Sequence, residues 1–517
     1  MTERVKRMIG LAPRQTGNKI IINCEKLEKR VALLENGVLE EYTIERPSDR
    51  NIVGSIYKGR VKNIEHGLKA MFVDIGYEKN AFLHFWDALP SALDSGIEEV
   101  ERKDKKAAKK ISSKDIPDIY PVGSEVLVQV TKGPISTKGP RITTNISLAG
   151  RFLVLMPYSE QSGISRKIES PKERDRLRKI LRDLNVPEGI GVIIRTVGEG
   201  QKARDLAYLL EQWRSIEEAM KKPDKVACVF QEPDLIERTV RDFLTDEIDE
   251  ILCDDEAAAK RMMDICGQIS KRSRSKIKHY TEPQPIFEKY GIKKQIDDSF
   301  HRQVWLPCGG YIVIDETEAL VAIDVNTGRN KGSKDLDKTI LQTNLEAADE
   351  MSRQMRLRNI GGIIIGDFID MKGRRDQQQV YQRMKERMRR DKAKTHILPI
   401  SALGLMEMTR QRAAESLHAT VYEPCPYCGG RGRIKSSMSM SVELQRALHQ
   451  LLRSNPEVHE VKVIVHPHLL NRLKTEDDEL LVEIERRYEG RLSFRSDPTL
   501  HHEKFTVLNA LTNQELK

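Results

Sequence analysis

"ALVAIDVNTG", residues 319–328, decides how the rest of this chain is read. Val321, Ile323 and Val325 alternate with Ala322, Asp324 and Asn326, the period of two of a strand with one buried face. Asp324 and Asn326 therefore share a face at the strand's end. A second apolar run, "GGIIIGDFIDM" (361–371), closes on Asp367 and then Asp370. Such a run reads as a buried, parallel-type strand, and those strands deliver their last residues to the sheet edge where sites form. Around the two lie the hairpin-like partner "GYIVID", a long helical pattern over 335–358 and a basic amphipathic helix over 374–391. In the last, Val380, Met384 and Met388 fall at i, i+4 and i+8 and predict the inner stripe. From Trp305 onward the pattern is α/β.

Carboxylates at adjacent strand ends suit Mg²⁺, which takes one or two protein carboxylates, keeps several waters and borrows phosphate oxygens. Asn326 carries no charge but can orient a water or a phosphate oxygen. The plainer alternative makes Asp324 the cap of a turn and Asp367 the cap of the following helix. The occurrence of two such strand ends, both followed by basic helices, favours the metal.

The charge points to a polyanion. The net charge is +9, and between Lys372 and Lys394 ten Lys/Arg stand against three acids. The segment "SKRSRSKIKHY" (270–280) adds five basic residues and no acid. A solvated helix face would explain one such run; two near the carboxylates favour nucleic acid. At 517 residues the chain has room for roughly three to four domains, and 39% hydrophobic content is enough to fill their cores. The opening "MTERVKRMIGLAPRQTGN" has no apolar signal region, and runs such as "GGIIIG" are too short to span a bilayer. The expected location is the cytoplasm.

The first half reads as β-rich. Asn36-Gly37 between apolar runs predicts a hairpin. Residues 52–86 form short strands broken by glycines, and strands resume at "EVLVQVTK" and "RITTNISLAG". Phe72, Phe82 and His84 are candidates to stack bases, each stack being worth roughly 1–3 kcal/mol; core packing is the alternative. The charged stretch "EEVERKDKKAAKKISSKD" (98–115) reads as an exposed insertion or mobile helix. Helices are predicted over 172–184 and 201–219 around the strand "GVIIRTV", and 233–278 reads as mostly helical with Asp234 as its cap. Arg195 and Thr196 of "IIRTVGEG", followed by glycines, offer a guanidinium fork, a hydroxyl and free N–H groups to a terminal phosphate. Residues 437–517 suggest a small α+β unit.

Cys425 and Cys428 of "EPCPYCGGRG" (423–432) form a C-x-x-C on a glycine turn. A structural zinc needs four ligands, and neither a second C-x-x-C nor a finger-spaced histidine pair follows. The other cysteines are Cys24, Cys228, Cys253, Cys266 and Cys308, irregularly spaced, as small buried hydrophobes are. The sequence thus carries half a zinc site, whose missing pair can come from the same motif of a second chain. Two-fold symmetry would make that interface self-complementary, with one Zn²⁺ per two chains. Two free thiols or an intrachain disulfide is the alternative.

Together, "GRVKNIEHGLKAMFVDIG", "TTNISLAGRFLVLMP", "GISRKI", "IIRTVGEG", "AIDVNTG", "GDFIDM", "EMTRQR" and "CPYCGGRG" resemble the bacterial ribonuclease E/G endoribonucleases. The pieces stand in family order across 19–432, and the unit after 437 resembles that of the family's ribonuclease G branch. The lack of a long disordered tail argues against a full-length member of the E branch.

The resemblance implies a multidomain α/β and α+β fold. After a basic leader (1–18), an RNase H-like subdomain would be split over 19–50 and 241–304. An S1, OB-type barrel would fill 51–148, with a charged insertion at 94–118. A 5′-sensor region (149–240), a DNase I-like catalytic subdomain (305–420), a zinc link (421–436) and a small dimerisation domain (437–517) would complete it. By motif match Asp324 and Asp367 would hold Mg²⁺ with Asn326 assisting. Gly150, Val154, Arg166, Arg195 and Thr196 would form the 5′-monophosphate pocket. Phe72 and Phe82 would line the barrel's RNA surface, and Lys132 and Lys138 the channel. The zinc shared through Cys425 and Cys428 would join a homodimer, and the small domain would build a homotetramer.

The implied activity is Mg²⁺-dependent cleavage of single-stranded RNA, rRNA precursors and mRNA, with a preference for 5′-monophosphate ends, in rRNA and tRNA processing and mRNA decay. Hydrolysis would leave 5′-phosphate and 3′-hydroxyl ends. No histidine pair is placed to drive 2′-hydroxyl attack. A non-catalytic S1 RNA-binding protein would not need acids at strand ends. A DnaJ-type zinc module would repeat its C-x-x-C, and a DNA nuclease would not need the S1-like unit.

Overall fold

The structure is a computed structural model. It describes residues 17–46, 52–89, 97–100, 112, 114–134, 138–159, 161–165, 168, 170–195, 202–221, 226–243, 247–269, 274–329, 336–411 and 416–516. The chain forms two compact units, 1–420 and 421–517.

The first unit begins with strands Asn18–Cys24, Lys29–Glu35 and Val38–Glu45, joined as antiparallel hairpins. Asn36 and Gly37 both take positive φ, 51° and 83°, as a two-residue turn matched to strand twist requires. The sheet is finished by distant chain. Glu250–Cys253 adds parallel to Asn18–Cys24, and Ile277–His279 adds beyond it. The sequence had suggested mostly helix over 233–278. Helices Leu235–Phe243 and Glu256–Ile269 do form, and the Asp234 carboxylate accepts from the Glu237 N–H at 3.1 Å as their first cap. The two short strands were missed because a four-residue apolar run such as "EILC" has no period of its own.

A five-stranded barrel is inserted within this sheet. Its strands are Ile56–Glu65, Ala70–Asp74, Ala81–His84, Arg141–Thr143 and Glu125–Lys132, the last pairing back onto the first. Val61, Met71, Val73, Leu83, Val128 and Ile142 fill it. Ala227–Phe230, far along the chain, pairs onto the first barrel strand.

Beside the barrel lies a sheet ordered Leu148–Ala149, Leu153–Pro157, Ile190–Ile194, Gly163–Ser165, Ile97–Glu99. Helices Pro171–Asp183 and Lys202–Met220 contribute Leu177, Leu181, Leu209 and Trp213 to its core. Its edge strand comes from the stretch expected to be an exposed insertion. Glu98 there accepts from Arg174 and from Arg178 Nε at 3.0 Å, an anchor that only the folded chain provides.

The unit ends with a six-stranded sheet ordered Gln303–Trp305, Tyr311–Glu316, Leu320–Asn326, Gly362–Asp367, Leu405–Arg410, Thr395–Ile397. Helices Leu336–Leu357 and Arg374–Met388 pack on one face. Val380, Met384 and Met388 are the buried stripe, as their spacing predicts. Arg383 and Arg387 both grip Asp349, with their Nε atoms 2.7 and 2.8 Å from its Oδ1. Part of the basic helix is therefore spent on tying the two helices together.

The second unit packs helices Ser437–Ser454, Pro467–Thr475 and Asp478–Tyr488 on a three-stranded sheet with Glu460–Val465 at its centre. Among the described residues, no helix is long and apolar enough to cross a membrane.

Candidate active site

In the six-stranded sheet, Leu320–Asn326 and Gly362–Asp367 are the parallel pair, and their register sets Asp324 against Asp367. Val321, Ile323 and Val325 go into the helix-covered core, so Ala322, Asp324 and Asn326 turn to the open face. Asp324, Asp367 and Asp370 are exposed there, and among the described residues none of the three is in an ion pair. The Asn326 amide donates to Asp324 Oδ2 at 2.8 Å and fixes that carboxylate. Partial burial, then the charges of Asp324 and Asp370, push the Asp367 carboxyl above the ordinary aspartate range. Hard oxygen donors that repel one another, with no ion-pair partner among the described residues, fit a small divalent cation.

The loop after Asp367 is held from below. Asn344, fully buried on the long helix, donates to the Ile369 carbonyl at 2.8 Å and accepts from the Ile369 N–H at 3.1 Å. Asn344 and the contribution of Asp370 escaped the sequence reading. A polar residue within a helix's apolar face was the available signal for Asn344.

The proposed phosphate pocket is partly described; Arg166 and Thr196 lie outside the described residues. Arg195 Nη1 reaches the Gly150 carbonyl at 2.8 Å and Asp242 Oδ1 at 2.9 Å. Burial would raise the Asp242 carboxyl, but Arg241 and Arg195 outweigh it and hold it below the aspartate range. The buried Asp205 carboxylate accepts the N–H groups of Arg151, Phe152 and Leu153 at 3.1, 2.8 and 2.9 Å and shapes the turn after Gly150. A Cβ on Gly150 would stand 2.6 Å from Asp205 Oδ2, so glycine is needed there. Val154 lies on the half-open face of its strand, opposite Leu153 and Leu155.

On the barrel, Phe72 and Phe82 are a cross-strand pair, their half-buried rings edge-on at 5.8 Å, with His84 6.4 Å from Phe82. Lys132 and Lys138 are exposed, and Lys132 pairs across the sheet with Arg141.

In the second unit, Cys425 and Cys428 stand on one turn. The N–H groups of Cys428 and then Tyr427 hold the Cys425 thiol below its ordinary range, and the Gly432 N–H donates to Cys428 Sγ at 3.3 Å. Such N–H groups stabilise thiolates, the form a metal requires. The turn is pinned by Tyr427, whose hydroxyl accepts from the His502 N–H at 3.1 Å, and by Arg431 on Glu503 at 2.7 Å.

Comparison with known proteins agrees with the motifs. A sequence model of the Ribonuclease E/G family matches residues 147–413, and one described as RNase E/G, Thioredoxin-like domain matches 424–510. Ribonuclease G of Escherichia coli K12 is 37% identical over 496 residues, covering 95% of this chain and 99% of that protein. Ribonuclease G of Haemophilus influenzae is 35% identical over 497 residues, covering 95% of this chain and 99% of its own. Ribonuclease E of Escherichia coli K12 is 38% identical over 467 residues, which are 88% of this chain but 43% of that longer protein. With a family match over half its length and relatives aligned nearly end to end, this chain belongs to the ribonuclease E/G family.

Proposed function

We propose that this chain is a Mg²⁺-dependent endoribonuclease of RNA processing, acting on single-stranded RNA and favouring 5′-monophosphorylated ends. The observation that carries this reading is the in-register Asp324/Asp367 pair on an open sheet face, with Asp370 adjacent and none of the three in an ion pair among the described residues. Asp324 and Asp367 would hold Mg²⁺, which when bound supplies water activation and charge neutralisation at the phosphodiester. Asn326 keeps Asp324 in its rotamer, and the Asn344 clamp keeps the Asp367 strand end in place. The Phe72/Phe82 pair on an S1-type barrel would stack bases, and Lys132 and Lys138 would meet phosphates. Arg195, shared between Gly150 and Asp242, would add a 5′-phosphate to its partners and so register the RNA end.

The thiolate-stabilising turn at Cys425 and Cys428 supports a zinc shared by two chains, and the small domain would extend the dimer to a tetramer. Metal analysis with light scattering tests this. One zinc per two chains is expected at this turn, read as the zinc that Cys428→Ala loses, together with a loss of mass in that variant. One zinc per chain at this turn, or an unchanged mass, would rule out sharing.

Incubation with a 5′-monophosphorylated single-stranded RNA, with and without Mg²⁺, tests the main reading. Internal cleavage to 5′-phosphate and 3′-hydroxyl ends that chelation stops is expected. Binding with no cleavage under any metal would leave a non-catalytic RNA-binding protein.

A further inference from the structure

The split N-terminal sheet has a second meeting point of parallel strand ends. Asn18–Cys24 and Glu250–Cys253 run side by side, with Ile22 opposite Cys253. Cys24 lies two residues beyond Ile22 and so shares its face. Ile22 and Cys253 are buried in one core, and Cys24 packs at that core's rim. Asp254 follows immediately. The sulfurs of Cys24 and Cys253 and a carboxylate oxygen of Asp254 all lie within 4.8 Å of one another.

The carboxylate is held by its surroundings. Asp254 Oδ1 accepts the Cys24 N–H at 2.8 Å and Oδ2 accepts the Asn23 amide at 2.6 Å. Each oxygen keeps a second lone pair for another partner. Asn23 is itself fixed by Arg30, whose Nε donates to its Oδ1 at 2.8 Å. This is the supporting shell that orients metal ligands. Cys24 and Asp254 are half-exposed while Cys253 is buried, so the donors sit at the mouth of the core with access from solvent. The Cys253 thiol donates to the Asp255 carbonyl at 3.5 Å, which orients its sulfur beside Asp254.

We propose that Cys24, Cys253 and Asp254 bind a borderline-soft divalent cation of the zinc type, separate from both the Asp324/Asp367 centre and the Cys425/Cys428 turn. Two sulfurs and one oxygen select such an ion over Mg²⁺, and solvent supplies the remaining position. Binding releases one proton from each thiol, so affinity rises with pH. The ion would join strands about 230 residues apart in sequence, with the barrel and the neighbouring sheet carried on the intervening chain. It would therefore staple the base from which those RNA-facing parts project.

The test uses the full chain. Zinc content is measured for wild type, Cys24→Ser, Asp254→Asn and Cys425→Ser/Cys428→Ser after dialysis against buffered zinc. Cys24→Ser is expected to lose one zinc per chain, while Cys425→Ser/Cys428→Ser retains it. Asp254→Asn should bind zinc at least about tenfold more weakly. Access to the half-exposed Cys24 is read separately, by peptide mapping of alkylated thiols. Zinc should protect Cys24 from alkylation, and chelation should expose it. Equal zinc in wild type and Cys24→Ser, alkylation indifferent to zinc, or a Cys24–Cys253 disulfide in protein purified under reducing conditions would overturn the proposal.

Discussion

Two parallel strand pairs in this molecule end in clusters of ligand-type side chains, and they are built in opposite ways. Leu320–Asn326 beside Gly362–Asp367 presents exposed carboxylates that repel one another, with Asp367 pushed above its ordinary range. Asn18–Cys24 beside Glu250–Cys253 presents two thiols and one carboxylate whose oxygens are both hydrogen-bonded. The same geometry thus gives a cluster of hard donors on an open sheet face, without ion pairs among the described residues, and a soft, braced cluster at the rim of a core. A parallel pair brings distant chain to one edge; the residue types at that edge decide its chemistry. Repulsion left in place stores binding energy for a cation, whereas braced groups hold the fold.

Substitution should separate the two roles. Asp367→Asn is expected to lower cleavage about 10³-fold or more, since it removes several kcal/mol of transition-state stabilisation, and to leave RNA binding intact. Single-turnover rates beside filter binding would show this, and near-normal turnover would remove Asp367 from the centre.

Arg195 stands between the two designs, since it is braced by Asp242 yet reaches toward the proposed phosphate pocket. Arg195→Ala should reduce the preference for 5′-monophosphate over 5′-hydroxyl RNA by roughly ten- to a hundredfold, the worth of one charge-assisted hydrogen bond. Undiminished discrimination would place the sensor elsewhere.

Stability in metal-free buffer should sharpen the contrast. Asp254→Asn weakens acceptors for the Cys24 N–H and the Asn23 amide and should cost about 1–3 kcal/mol. Asp367→Asn removes a repelled charge and should leave the melting temperature unchanged or higher. Thermal melts of both variants in EDTA provide the comparison, and a fall for Asp367→Asn would contradict the repulsion argument.

The pH dependence gives the smallest effect. Burial raises the Asp349 carboxyl, but Arg383 and Arg387 outweigh it and hold it below the aspartate range; Asp242 is lowered in the same way by Arg241 and Arg195. Each is protonated later in the folded protein than in the unfolded chain. Their stabilisation is therefore present above the ordinary aspartate range and is lost as pH falls through the depressed values. Asp367, raised when folded, acts with the opposite sign: its charge costs stability above that range, and protonation relieves the cost. Denaturation midpoints across the acid range should show a shallower loss in Asp349→Asn, and an unchanged slope would mean that pair contributes nothing.

The unit that carries Asp324 and Asp367 was the most legible part of the sequence because its signals are local. Alternation in "ALVAIDVNTG" placed Asp324 and Asn326 on one face, and the Val380/Met384/Met388 spacing gave the buried stripe of the basic helix. The glycine turn at Cys425 and Cys428 was equally plain. The strands Glu250–Cys253 and Ile97–Glu99 were not, because runs of four and three residues owe their form to partners elsewhere in the chain.

By itself the sequence determined what local periodicity and residue chemistry can determine: which strands carry carboxylates, which helix faces are buried, where thiols pair on a turn, and where positive charge collects. Only the tertiary structure decided which residues meet across long separations. It set Asp324 in register with Asp367, closed Asp242 on Arg195, and brought Cys24 to Cys253 and Asp254. The physical reason is that strand register and side-chain hydrogen bonds between distant segments are chosen by the packing of the whole core, for which no short window of sequence holds the information.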